Sequence, residues 1–250
     1  MISRGLAIEL INRHAGRTGV VCGGGPSLPE QLARCPEDAV YVSANQHGVM
    51  LRRCDYIMAV DAIEDRVFAR PDGSRFSLRD FGIPIIAPRP AGDYWLFEQC
   101  APSSGVMAAW ILWAMGCAPI LMAGIDCYRG PTYYHDAHAR SSGKTISVEN
   151  HLRRWASLMT LAPGGQFRSL GAPLSSIFPA YDPQDRRAEP PNHARVAERM
   201  AGAWVTFQRA CSEVVAPRLF APGDRALLSK KLAKRCVQRG FAYYLEECMA

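Results

Sequence analysis

The residues best suited to chemistry fall in five short stretches of this chain. The first is Val20-Val21-Cys22-Gly23-Gly24-Gly25-Pro26-Ser27-Leu28, an apolar run that ends in three glycines and opens a helix. Glycines let a backbone approach a ligand closely and take φ > 0. The free N–H groups and positive dipole end of the following helix suit an anion. Gly23, Gly24, Gly25, Pro26 and Ser27 are therefore the expected cradle for the phosphate of a nucleotide. Asn45 and Gln46, just past the second β-rich run, can hydrogen-bond a base or a sugar, or simply make a turn. Ser104 and Gly105, behind Ser103, place hydroxyl and N–H groups at a second helix start, where plain N-capping is the simpler role. Asp61 and Asp126 close two further β-rich runs, and Asp126 can orient a loop, bind a ribose or cap a turn.

The fifth stretch is Tyr128-Arg129-Gly130-Pro131-Thr132-Tyr133-Tyr134-His135-Asp136-Ala137-His138. Tyrosine hydroxyls can hydrogen-bond a departing phosphate and Arg129 can neutralise it. Histidine is the usual general base near neutral pH, which makes His135 a candidate. His135-x-x-His138 has no acid cluster beside it, so no metal is expected there. His151, inside the next expected helix, reads as structural or solvated.

Several familiar patterns are absent. The third glycine of a dinucleotide fingerprint is Leu28, and the second strand ends in Ser43-Ala44-Asn45 where a ribose-binding acid would stand. No Gly-Lys-Ser/Thr follows the glycines, so the loop is not a P-loop. No Gly-x-Ser-x-Gly elbow supports a serine hydrolase. The nine cysteines include no CxxC pair and sit mostly in apolar runs, as buried free thiols do.

To position these stretches the chain needs strands and helices in alternation. Strands are expected over 18–22, 39–43, 54–60, 84–87, 119–123 and 167–170. Helices are expected over 6–14, 28–34, 49–52, 106–115 and 147–161. Such alternation implies an α/β fold with a mostly parallel sheet and helices on both faces. Ligands then bind beyond the carboxyl ends of the strands. The Gly23 loop, Asn45, Asp61 and Asp126 all fall at such ends, which argues for one pocket. Residues 1–178 form the expected catalytic domain, 179–192 a Pro-rich linker, and 193–250 a helical C-terminal extension. Its last helix, from Asp224, carries Arg225, Lys230, Lys231, Lys234, Arg235 and Arg239, which make a solvated face or a contact for an anionic surface.

Composition is that of an ordinary folded chain, 48% hydrophobic and 21% charged, with a formal net charge of +6. This mild basicity favours anionic ligands without indicating nucleic acid. The start, Met1-Ile2-Ser3-Arg4-Gly5-Leu6, lacks a signal-peptide pattern, and the apolar run 106–122 is broken by Gly116 and Pro119. A cytoplasmic protein without a transmembrane segment is the expectation.

Four blocks resemble a known family. Cys22-Gly23-Gly24-Gly25-Pro26-Ser27-Leu28 resembles the Gly-Asn-Gly-Pro-Ser-Leu nucleotide loop of the bacterial lipooligosaccharide sialyltransferases and the Gly-Pro-Ser-Leu loop of the related MptE-like and Maf proteins. Asn45-Gln46, Ser104-Gly105-Val106 and Gly124-Ile125-Asp126-Cys127-Tyr128 resemble further blocks of those sialyltransferases, with similar spacing over roughly residues 18–178. The resemblance implies a Rossmann-like, inverting, metal-independent transferase that uses a CMP-sugar donor. It implies that Tyr128 and Tyr134 assist the leaving phosphate. Gly24 replaces the family's loop asparagine, and Ser141-Ser142-Gly143-Lys144 stands where its catalytic histidine would be. The expected activity is sugar transfer from a nucleotide sugar to an unidentified acceptor, with no cofactor. The alternatives are an MptE-like pyrophosphokinase using ATP and Mg²⁺, held by Asp61 or Asp126, and a non-catalytic binding or assembly module.

Overall fold

Short runs of β-branched and aliphatic residues, fully buried, become neighbouring strands of one sheet. The computed structural model describes residues 5–61, 67–69, 73–88, 92–95, 103–127, 147–184, 202–207, 225–229 and 242–244. The chain divides into two units, Met1–His193 and Ala194–Ala250.

In the first unit the strands are β1 (Gly5–Leu6), β2 (Gly19–Cys22), β3 (Val40–Ala44), β4 (Tyr56–Met58), β5 (Phe68–Ala69), β6 (Arg75–Phe76), β7 (Ile85–Ala87), β8 (Tyr94–Trp95), β9 (Ile120–Ala123) and β10 (Phe167–Ser169). The helices are α1 (Leu28–Leu32), α2 (Ser104–Ala114), α3 (Val148–Ala156) and α4 (Leu158–Leu161). Eight strands form one sheet in the order β1-β8-β7-β4-β3-β2-β9-β10, with every pairing parallel. The hairpin β5–β6 stands apart. In β2, β3 and β9 every residue is buried, as in a sheet covered on both faces.

The two faces have different covers. Val20 and Cys22 of β2 cluster with Leu28, Tyr41, Ile57, Leu78 and Leu121, on the side of α1. Gly19, of opposite parity, faces Leu112 of α2. Helix α2 is apolar all round and buried at every position but Gly105, which suits a helix inside the core rather than at its surface. Ser103 caps it, its Oγ accepting the Val106 N–H at 3.4 Å. At the other end the turn 12–16 donates N–H groups to its last carbonyls: Asn12 to Ala114, His14 to Met115 and Gly16 to Gly116, at 2.9–3.0 Å. The α/β class and parallel sheet agree with the sequence reading.

The differences are local. The helix expected over 6–14 is instead β1, a 3-10 turn Ala7–Leu10 and a clip on α2, because its N–H groups serve that helix. The expected 147–161 helix breaks at Ser157 into α3 and α4. Strands β1, β5, β6 and β8 are too short for a periodic signal. In the second unit β11 (Gly202–Phe207) lies between β12 (Arg225–Ser229) and β13 (Ala242–Tyr244), antiparallel to both. These strands correct the helical C-terminal extension at the residues concerned. Gly202-Ala203-Trp204-Val205-Thr206-Phe207 is rich in aromatic and β-branched types, which favour a sheet once a partner strand exists. The linker expected over 179–192 and the remaining basic residues from Lys230 on lie largely outside the described residues. Among the described residues no helix is long and apolar enough to cross a membrane. Described cysteines 22, 35, 54, 117 and 127 are buried free thiols, and burial pushes Cys35 up to about 11 and Cys117 up to about 12.

Two predictions follow from buried polar groups. Asp93, 5% exposed, accepts the Ile85 N–H at 2.8 Å and holds Arg79 Nη1 with both oxygens at 2.9 Å. Asp93→Ala leaves the buried Ile85 amide without this acceptor and takes the carboxylate from Arg79, and urea denaturation is expected to show a loss of about 2 kcal/mol. His14, half-buried, meets the Tyr56 hydroxyl at 2.9 Å. Desolvation first, then the neighbouring Arg17, lowers its pKa below the ordinary imidazole value. The unfolded chain therefore takes up the proton first, and stability falls as pH drops from about 6.5 through the lower folded value. His14→Gln is expected to flatten that fall in urea midpoints measured between neutral and mildly acid pH.

Candidate active site

The sheet order reverses between β2 and β9. From β2 the chain runs outward through β3, β4, β7 and β8, then returns through α2 to β9 on the other side of β2. At such a reversal the connections leave the sheet in opposite directions and open a crevice above the strand ends. A cleft of about 370 Å³ lies there. The loop after β2 supplies Gly23, Gly24 and Gly25. Beyond β3 come Asn45 and His47, beyond β4 Asp61, and beyond β9 Ile125, Asp126 and Cys127. The first turn of α2 adds Ser104 and Gly105, and α3 adds His151, Arg154 and Trp155.

Close approach of two chain segments explains the glycines. A Cβ on Gly23 would collide with the Gly124 carbonyl oxygen and Ile125 Cδ1. One on Gly25 would collide with the Asp126 carboxylate and lie 2.8 Å from the Gly124 oxygen. The loop after β2 therefore packs on the loop after β9. Ser27 closes the contact, its N–H donating to Asp126 Oδ2 at 2.9 Å and its hydroxyl to Oδ1 at 2.5 Å. Gly23 N–H donates to Ala123 and Gly25 N–H to Gly124, at 2.8 and 2.7 Å. Among the described residues the Gly24 N–H takes no protein acceptor.

These bonds divide the residues of the expected phosphate cradle. Pro26 has no N–H, is exposed and does not line the cleft. Ser27 also lies off the cleft, with both donors taken by Asp126. An aspartate of the chain already sits where the ligand's anion was expected. Helix α1, at five residues, adds little dipole. Gly23, Gly24 and Gly25 remain at the cleft wall.

The other candidates divide similarly. Ser43, fully buried, accepts N–H groups from Gly48 and Val49 at 2.8 and 3.3 Å and donates to the Asn45 carbonyl at 2.7 Å. This tight turn holds Asn45 at φ 56°, a left-handed conformation that asparagine tolerates. Asn45 lines the cleft, and its buried Oδ1 has no hydrogen-bond partner among the described residues. Gln46 is half-buried and does not line the cleft. Ser104 Oγ accepts the Val60 N–H at 3.2 Å, tying the end of the β4 segment to α2. Asp61 stands exposed at the cleft. Tyr128, Tyr134 and His135 lie outside the described residues.

Sequence reasoning missed the contribution of α3. His151, Arg154 and Trp155 stand at i, i+3 and i+4, one face of a helix. That spacing was legible, but the face reads as amphipathic surface until α2 is placed against it. His47 and Cys127 were missed for a different reason, since each depends on a turn that only the fold defines. Below the cleft the Cys22 thiol, beside Cys54 and fully buried, has its pKa pushed well up and acts as an apolar filler.

No protein-family model matches the chain, and no curated protein matches it. Among solved structures, the chain is similar to the sialyltransferase CstII from Campylobacter jejuni in complex with a substrate analogue, cytidine-5'-monophosphate. That likeness covers 90% of this chain and 98% of the other, at 13% identity and a TM-score of 0.48.

The packing of Gly25 can be tested directly. Gly25→Ala is expected to cost about 2 kcal/mol in urea denaturation, because neither a backbone carbonyl nor a doubly held carboxylate can retreat cheaply.

Proposed function

We propose that this chain is a glycosyltransferase that takes its sugar from a nucleotide-sugar donor, a CMP-sugar in preference, with inversion and without a metal. The observation that carries the reading is the meeting of separate blocks round one cleft. Gly23 to Gly25, Asn45, Ser104 with Gly105, and Asp126 are the stretches on which the sialyltransferase resemblance rests, and all of them line it. The Gly24 amide and the Asn45 Oδ1, neither with a partner among the described residues, offer a donor and an acceptor to a nucleotide.

In this proposal the acceptor hydroxyl oxygen bonds to the anomeric carbon as that carbon's bond to the phosphate oxygen breaks. The hydroxyl proton passes to His135. The nucleotide leaves as its monophosphate, with Tyr128 and Tyr134 donating to its oxygens. Both oxygens of Asp126 already accept hydrogen bonds from Ser27, so under the pyrophosphate-transfer alternative the exposed Asp61 is the more open of the two cleft carboxylates to a magnesium ion.

Thermal unfolding of the full chain with CMP, UDP, GDP and ATP, each with and without Mg²⁺, tests the proposal. CMP is expected to raise Tm without metal, by roughly 5 °C at a hundredfold excess over Kd. Stabilisation by ATP only in the presence of Mg²⁺ would move the assignment to a pyrophosphokinase. Tyr128→Phe is expected to slow sugar transfer about a hundredfold while leaving Tm unchanged.

A further inference from the structure

We infer that the cleft holds an oxyanion, a phosphate or a carboxylate, between the first turn of α2 and the inner face of α3, with Trp155 Nε1 and the Arg154 guanidinium as its side-chain donors.

The first observation is the start of α2. This helix has eleven residues, and its first N–H groups have no carbonyl a turn earlier to bond. Ser103 satisfies only Val106 with its side chain and Met107 with its carbonyl. Among the described residues the N–H groups of Ser104 and Gly105 meet no acceptor, and both residues line the cleft.

The second observation is independent and comes from α3. Trp155 is 1% exposed, yet its Nε1 has no hydrogen-bond partner among the described residues. A buried indole N–H normally finds one. The ring lies against Gly105: a Cβ there would stand 3.0 Å from Trp155 Cζ2 and 3.5 Å from Cη2. Cζ2 is on the edge of the ring that carries Nε1, so the unused N–H flanks the start of α2. Gly105 is what allows that approach.

The third is charge. Arg154, next to Trp155, lines the same cleft half-buried, and no carboxylate meets its side chain among the described residues. Of the two cleft carboxylates, Asp126 is held by Ser27 and Asp61 is exposed. Two backbone N–H groups, an indole N–H and a guanidinium are donors only. Such a set accepts an anionic oxygen group and has nothing to offer a hydroxyl proton. It also replaces the slot in the glycine loop that Asp126 fills. The inference concerns anion binding alone and does not need sugar transfer to be correct.

Indole ¹H–¹⁵N spectra of the full chain test it, titrated with sodium phosphate and with sodium acetate against sodium chloride at matched ionic strength. The chain has five tryptophans, and the Trp155 signal is the one absent from Trp155→Phe. Phosphate or acetate is expected to move that signal where chloride does not, and the stronger of the two names the anion class. Arg154→Gln is expected to weaken the binding at least about tenfold, the share of a charge-assisted contact. CMP should bind more tightly than cytidine in the wild type if the anion is a phosphate, and the gap should shrink in Arg154→Gln. A Trp155 signal unmoved by both anions overturns the inference, as does equal affinity in Arg154→Gln. Should Trp155→Phe fail to fold, the anion-dependent shift and its loss in Arg154→Gln still decide the matter.

Discussion

The carboxylate of Asp126, with both oxygens held by Ser27, joins the two loops on which the cleft depends. It links the chain after β2 to the chain after β9, the two strands between which the sheet order reverses. Because the loops touch backbone to backbone, Gly23 and Gly25 have no room for a side chain. A sequence feature that suggests ligand approach is therefore first a feature of self-packing. An internal anion at that point takes the Ser27 N–H and hydroxyl, and leaves the Gly24 amide at the cleft wall.

Helix α2 supplies what the glycine loop does not. It runs buried along β2, β3 and β4, so its direction is set by the core rather than by the surface. Its carboxyl end is closed by the N–H groups of the turn 12–16, and at its amino end the Ser104 and Gly105 N–H groups, beside the cleft, meet no acceptor among the described residues. Polar termini of a buried helix must be satisfied somewhere. Here one end is satisfied by the chain and the other is turned toward the cleft, where α3 adds a guanidinium and an indole N–H.

Gly23 to Gly25, Asn45, Ser104 with Gly105, and Asp126, taken from separate blocks of the chain, share this cleft, and the proposal of sugar transfer rests on that meeting. The physical content is specific in kind: among the described residues the Gly24 amide and the Asn45 amide oxygen have no partner, and donors cluster near Gly105.

By itself the sequence determined the alternation of buried strands and helices, the all-apolar character of α2, and the placing of Gly23, Asn45, Asp61 and Asp126 at strand ends. These follow from local pattern, because burial on two faces demands continuous apolar runs and strand ends must turn. Only the tertiary structure decided that Ser27 belongs to Asp126, 99 residues away, and not to a ligand. It alone decided that His151, Arg154 and Trp155 face the cleft, and that Gly202–Phe207 pairs as a strand instead of coiling. The reason is the same in each case. Which donor meets which acceptor, and which face of an amphipathic segment is covered, depends on neighbours brought together by the sheet order, and no local spacing encodes that choice.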